Sequence, residues 1–142
     1  MWTVERNVER NAELREIRAA GIRALNSLRR AEKALSSARG WGIADMLGGK
    51  GIVSLVKHVK LDAARDALEE ARFDVERFSR ELKDVDVPRL DVDGLLTFAD
   101  FFFDSFLMDL AVQSRINEAR RRVAEACCRL EDALRILNAA IV

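Results

Sequence analysis

Residues 14 to 38 place apolar or small side chains at heptad spacing. Leu14, Gly21, Leu28 and Leu35 occupy one seam position, and Ile17, Ala24, Ala31 and Ala38 the other, which is the a/d pattern of a helix packed along its length. The alternation returns at residues 61 to 85, where Leu61, Leu68, Val75 and Leu82 accompany Ala64, Ala71, Phe78 and Val85. It returns again at residues 116 to 140, with Ile116, Val123, Leu130 and Leu137 beside Ala119, Ala126, Ala133 and Ala140. Three seams of equal length predict an all-α chain: an antiparallel three-helix coiled-coil-like bundle whose alanines let the helix axes approach closely.

The punctuation sets the expected boundaries. Thr3 is a candidate cap for the first helix, and Gly40 tolerates the left-handed conformation that follows a last turn. The second helix opens after Gly51 and runs to Asp86-Val87-Pro88, because proline disfavours helix in the residue before it. Asp93, ahead of Gly94-Leu95-Leu96, is the expected cap of the third. The prediction is a single domain over 1–142 with helices at 3–39, 52–85 and 93–140, a glycine-rich corner at 40–51 and an acidic turn at 86–92. A straight helix over the 48 residues from Asp93 to Ala140 spans about 72 Å, against about 50 Å for Ile52 to Asp84. The third helix is therefore expected to be long, with its overhang packed on a second copy of the chain, or kinked between about Asp104 and Ser114. A homodimer resolves the mismatch.

Composition supports helices. Of 142 residues 49% are hydrophobic and 34% charged, with one proline and no tyrosine. The 24 Lys and Arg balance the 24 Asp and Glu overall but not locally, since residues 1–60 carry twelve cations against six anions, 61–112 six against fourteen, and 113–142 six against four. A basic first helix beside an acidic second one uses these blocks internally, so no nucleic-acid partner is expected. The start Met1-Trp2-Thr3-Val4-Glu5-Arg6 lacks the apolar run of a signal peptide. Aspartates cut Phe101-Phe102-Phe103 and Phe106-Leu107-Met108 far short of the ~20 apolar residues of a membrane span. Cys127 and Cys128 are adjacent, so their side chains diverge on a helix and a structural disulfide is not expected. The expected compartment is the cytoplasm.

Unusual chemistry concentrates between the seams. Gly40 to Gly51 invites comparison with a phosphate loop, but Ala44 stands where the first Walker glycine belongs and Gly51 where the Mg²⁺-holding hydroxyl belongs. A weaker function remains: Gly48, Gly49, Lys50 and Lys57 as a site for a phosphate-bearing ligand or an anionic membrane surface. The plainer reading is a corner in which Trp41, Ile43, Met46 and Leu47 cap the core. His58 and Asp62 share a helical face, as do Asp100 and Asp104, so these four form a candidate metal set, brought together only across a dimer. The plainer reading of His58 and Asp62 is an exposed pair supporting its own helix. The run Asp84 to Gly94 alternates acid and aliphatic residues without meeting the EF-hand pattern, as Pro88 takes a ligand position. Five of the seven phenylalanines, Phe98, Phe101, Phe102, Phe103 and Phe106, follow it on an apolar arc of roughly 240°, wider than two neighbouring helices need. They are the candidate interaction surface. Asp109 falls within the same arc, and Cys128 projects away from the seam.

Trp41-Gly42, Asp45, Gly48-Gly49, Lys57-His58, Lys60 and Asp62, followed by Phe98-Ala99-Asp100 and Phe102-Phe103-Asp104, resemble a group of uncharacterised bacterial helical proteins with such heads between coiled-coil helices. The resemblance spans residues 14 to 140, implies the helical fold and implies no activity. The leading functional expectation is a non-enzymatic interaction or scaffold protein that self-associates through its Phe-rich segment and needs no cofactor. The alternative is the phospholigand or membrane-surface binder, and the third reading is the cross-subunit metalloprotein. No nucleophile and base are arranged for catalysis.

Overall fold

The computed structural model describes the backbone of residues 2–46, 52–106 and 113–142, and the side chains of 4–40, 58–101, 103–104 and 115–142. The described residues form four helices: α1 Trp2–Met46, α2 Ile52–Lys83, α3 Val92–Phe106 and α4 Gln113–Ala140. The all-helical reading of the periodicity is thereby met, with no strand among the described residues.

The seams are the core. Leu14, Leu28 and Leu35 of α1, Leu68, Phe78 and Leu82 of α2, and Ile116, Leu130 and Leu137 of α4 are among the largest side chains fully shielded from water. Between them the seam alanines are equally buried, from Ala24, Ala31 and Ala38 to Ala64, Ala71 and Ala119, which allows close helix approach. At Gly21 the approach is closest. A Cβ built there would lie 2.7 Å from both Phe78 Cε1 and Leu134 Cδ2, so α2 and α4 both close on α1 at a position with no side chain.

Polar contacts give the directions. Ser27 of α1 donates from its hydroxyl to the buried carboxylate of Asp74, and Arg30 reaches Glu70 at 3.1 Å, while Arg10 donates to the Asp86 carbonyl at 3.1 Å. Those pairs run α2 antiparallel to α1. Arg29 to Glu131 at 2.9 Å, Arg18 to Asn138 at 2.7 Å and Arg120 to Ser36 at 3.1 Å run α4 antiparallel to α1 as well. The basic first helix does meet acidic partners, Glu70 of α2 and Glu131 of α4.

Two boundaries depart from the sequence expectation, and a third decides between its alternatives. First, α1 continues through Gly40 to Met46. A Cβ at Gly40 would meet nothing within 4 Å, so the glycine sits on an open helical face and ends nothing. Second, the cap of α3 is Asp91, whose Oδ1 accepts the Gly94 amide at 2.9 Å while its carbonyl accepts the Leu95 amide at 3.1 Å. Asp93 instead lies in the first turn, where its charge suits the positive helix end. A Cβ at Gly94 would stand 2.7 Å from Asp91 Cγ, so a larger residue there would displace the capping carboxylate. Third, the stretch 93–140 takes the kinked alternative, as two helices with α3 ending at Phe106 and α4 beginning at Gln113. Arg129 stacks over the Phe98 ring at 4.3 Å, a contact that a straight helix excludes because 31 residues separate the two along ~46 Å of axis. Consequently α3 turns back along α2 and reaches α4. The length mismatch that suggested a second copy is absorbed within one chain.

The turn that reverses α2 into α3 is built on Pro88. The Leu90 amide donates to the Val87 carbonyl at 3.3 Å, and Arg89 adopts φ 72°, which is a type II turn with proline at its second position. Val87 is buried and Leu90 packs against the core, so the aliphatic residues of the acidic turn close the end of the helices.

Candidate functional site

Where α3 lies on α2, the charges pair first. Arg72 of α2 donates from Nε to Glu76 at 3.0 Å and from a terminal nitrogen to Asp104 of α3 at 3.3 Å. Glu76 above all, then Asp104 and Asp100, hold the Arg72 guanidinium charged above its usual range. The carboxylates of Asp100 and Asp104 thus act on an arginine. They do not approach His58. Arg72 lies fourteen positions beyond His58 on α2, about 21 Å of helix rise, and Asp62 pairs with Arg65 at 3.6 Å on its own helix. Among the described residues no three His, Cys, Asp or Glu side chains gather as a metal site.

The aromatic residues separate into different roles. Phe103 is buried in the core, so it cannot serve as a surface. Phe98 is half-buried, with the Arg129 guanidinium over its ring. Phe101, by contrast, is 62% exposed, and Phe73 of α2 is 61% exposed. Phe73 follows Arg72 directly on α2, and Phe101 precedes Asp104 by one helical turn on α3, so each ring belongs to a helix that the Arg72–Asp104 pair joins. Phe73 was not singled out by the sequence reading, because it falls between the seam positions Ala71 and Val75 on a helix whose other intervening residues are mostly polar. Its only signal was a large apolar side chain outside the heptad. The side chains of Phe102 and Phe106 lie outside the described residues, as do Gly48, Gly49 and Lys50, the side chains of Lys57 and of the corner residues Trp41 to Leu47, and Asp109.

Cys127 is buried and Cys128 exposed, both as free thiols. Burial pushes the Cys127 thiol up to about 11, with Glu32 adding to the effect. It is an unreactive side chain at neutral pH. No described helix is long and apolar enough to cross a membrane. No family model, curated protein or solved structure matches this chain.

Proposed function

We propose that this chain is a non-enzymatic helical scaffold that self-associates as a homodimer through the face shared by α2 and α3. The observation that carries the reading is the pair of exposed rings, Phe73 at 61% and Phe101 at 62%, beside an ion pair that fixes α3 on α2. Isolated apolar residues are ordinary on protein surfaces, whereas an exposed aromatic ring on each of two helices joined by an ion pair offers a hydrophobic anchor rimmed by charge. An isologous dimer buries two rings from each copy, four in all. With about three-fifths of each ring left to bury, they supply roughly 4–7 kcal/mol toward the cost of association.

In the same reading α1, α2 and α4 form an antiparallel three-helix coiled-coil-like bundle, and α3 is an arm that presents the aromatic face. The free thiols of Cys127 and Cys128 suit a reducing, cytoplasmic setting. Light scattering across a concentration series tests the proposal. The native chain is expected to rise toward twice its 16.0 kDa mass as concentration increases, and Phe73→Glu and Phe101→Glu are expected to hold it at the monomer mass with unchanged helicity. A native chain that stays monomeric throughout, or variants that dimerise as well as it does, would overturn self-association through this face.

A further inference from the structure

Arg89 is the one non-glycine residue with positive φ among the described residues. A type II turn asks for glycine or asparagine at that position, because a Cβ makes the left-handed conformation costly. The chain nevertheless carries the longest cationic side chain there. Backbone strain of this kind clusters at ligand sites and switch regions.

Arg89 lines a hollow of about 200 Å³ between the turn, the start of α3 and α4. Leu90, Leu95, Ala133 and Ile136 provide the apolar part of its lining, and Arg129 stands with Arg89 as a second guanidinium. Arg129 is held in place by the Phe98 ring at 4.3 Å and by Glu125 at 3.6 Å. Two carboxylates also line the hollow, but each is already engaged: Asp91 Oδ1 accepts the Gly94 amide, and Asp132 pairs with Arg135 at 2.9 Å. Arg89 has no ion pair among the described residues. The site therefore combines one uncommitted guanidinium, one oriented guanidinium, two carboxylates held by other partners and an aliphatic wall.

From these features we infer that the hollow binds a compact monocarboxylate with an aryl or branched aliphatic tail. Guanidinium groups take a carboxylate in a planar, two-point fashion, and the volume suits a single ring, since an apolar cavity of about 150 Å³ accommodates benzene. A tail of that size lies on Leu95 and Ile136 while the carboxylate faces Arg89 and Arg129. This site is separate from the aromatic face of α2 and α3, and its test does not depend on the oligomeric state.

Sodium benzoate, titrated at low ionic strength into the full chain and followed by amide chemical shifts, is the direct probe. Saturable shifts confined to Leu90, Leu95, Ala133 and Ile136 are expected. Arg89→Gly is expected to weaken binding by about tenfold or more, the loss of a charge-assisted pair, while its melting midpoint stays level or rises because glycine suits the turn. Benzyl alcohol, with the ring but no charge, should bind as weakly as benzoate binds the variant. Three outcomes would overturn the assignment: shifts that never saturate, an Arg89→Gly variant that binds benzoate like the native chain, or inorganic phosphate displacing benzoate at equal concentration.

Discussion

Gly21→Ala sets two known effects against each other at one buried point. Replacing glycine by alanine inside a helix ordinarily stabilises by about 1 kcal/mol. Here the added Cβ would lie 2.7 Å from Phe78 Cε1, 2.9 Å from Phe78 Cζ and 2.7 Å from Leu134 Cδ2, where carbon atoms rest at about 3.5–4.0 Å. Leu134 is half-buried and has room to turn, but the Phe78 ring is fully buried and has none. Overlap on two sides places the penalty near the upper end of the overpacking range, about 3 kcal/mol, and the propensity gain returns about 1. The net expectation is a loss of about 2 kcal/mol, or about 6 °C in a chain of this size.

Gly40→Ala is the internal control, because the same substitution in the same helix meets nothing within 4 Å. It should raise the midpoint by about 3 °C. Thermal unfolding followed by far-UV circular dichroism, together with urea midpoints at constant slope, reads both signs. If Gly21→Ala stabilises as much as Gly40→Ala, α1 does not receive α2 and α4 at this point. Phe78→Leu should cost less in the Gly21→Ala background than alone, a coupling that a double-mutant cycle isolates.

Other consequences are simpler to state. Asp91→Ala removes the side-chain acceptor of the Gly94 amide and should cost about 1 kcal/mol; faster hydrogen exchange confined to the first turn of α3 would identify the cause, and unchanged exchange there would refute it. Thiol titration with an alkylating reagent at pH 8 should label Cys128 rapidly and Cys127 only as the chain unfolds. The Cys127 thiol is raised from its ordinary 9.0 to about 11, so the unfolded chain loses that proton first. The contribution of this thiol to stability is whole below pH 9 and falls as pH rises toward 11; a Cys127→Ala variant should lack that part of the alkaline decline.

Periodicity was a reliable guide wherever burial was continuous. Leu14, Leu28, Leu68, Val75, Val123 and Leu130 all occupy the interior that their heptad spacing predicts, because a seam repeated over several turns leaves few alternatives. Local signals were weaker. Gly40 is a helix interior residue because the preceding turns are already fixed by packing at Leu35 and Ala38, and a small residue on an open face costs too little to end them. Asp91 and Asp93 are both good caps by type, and only the geometry of Gly94 decides between them. The return of α3 toward α4 depends on tertiary contacts such as Phe98 with Arg129, which no local pattern encodes. The same holds for the site residues: exposure of Phe101 and burial of Phe103 follow from where α2 and α4 lie, while the sequence presents them as equivalent.

The hydroxyl of Ser27 and the carboxylate of Asp74 sit among helices that are otherwise repetitive. Large and small residues recur every seven positions on α1 and α2, so sliding one helix past the other by a heptad would match most leucines and alanines again, with Gly21 against Phe78 as the exception. A slid α2 would bring Asp74 opposite Ala20 or Ala34, and neither methyl group can donate a hydrogen bond to a buried charge. That cost of several kcal/mol falls on every shifted alignment and is absent from the native one. Two side chains in the middle of the molecule thus act together with the Gly21–Phe78 contact to select one alignment among those that the other seam positions repeat.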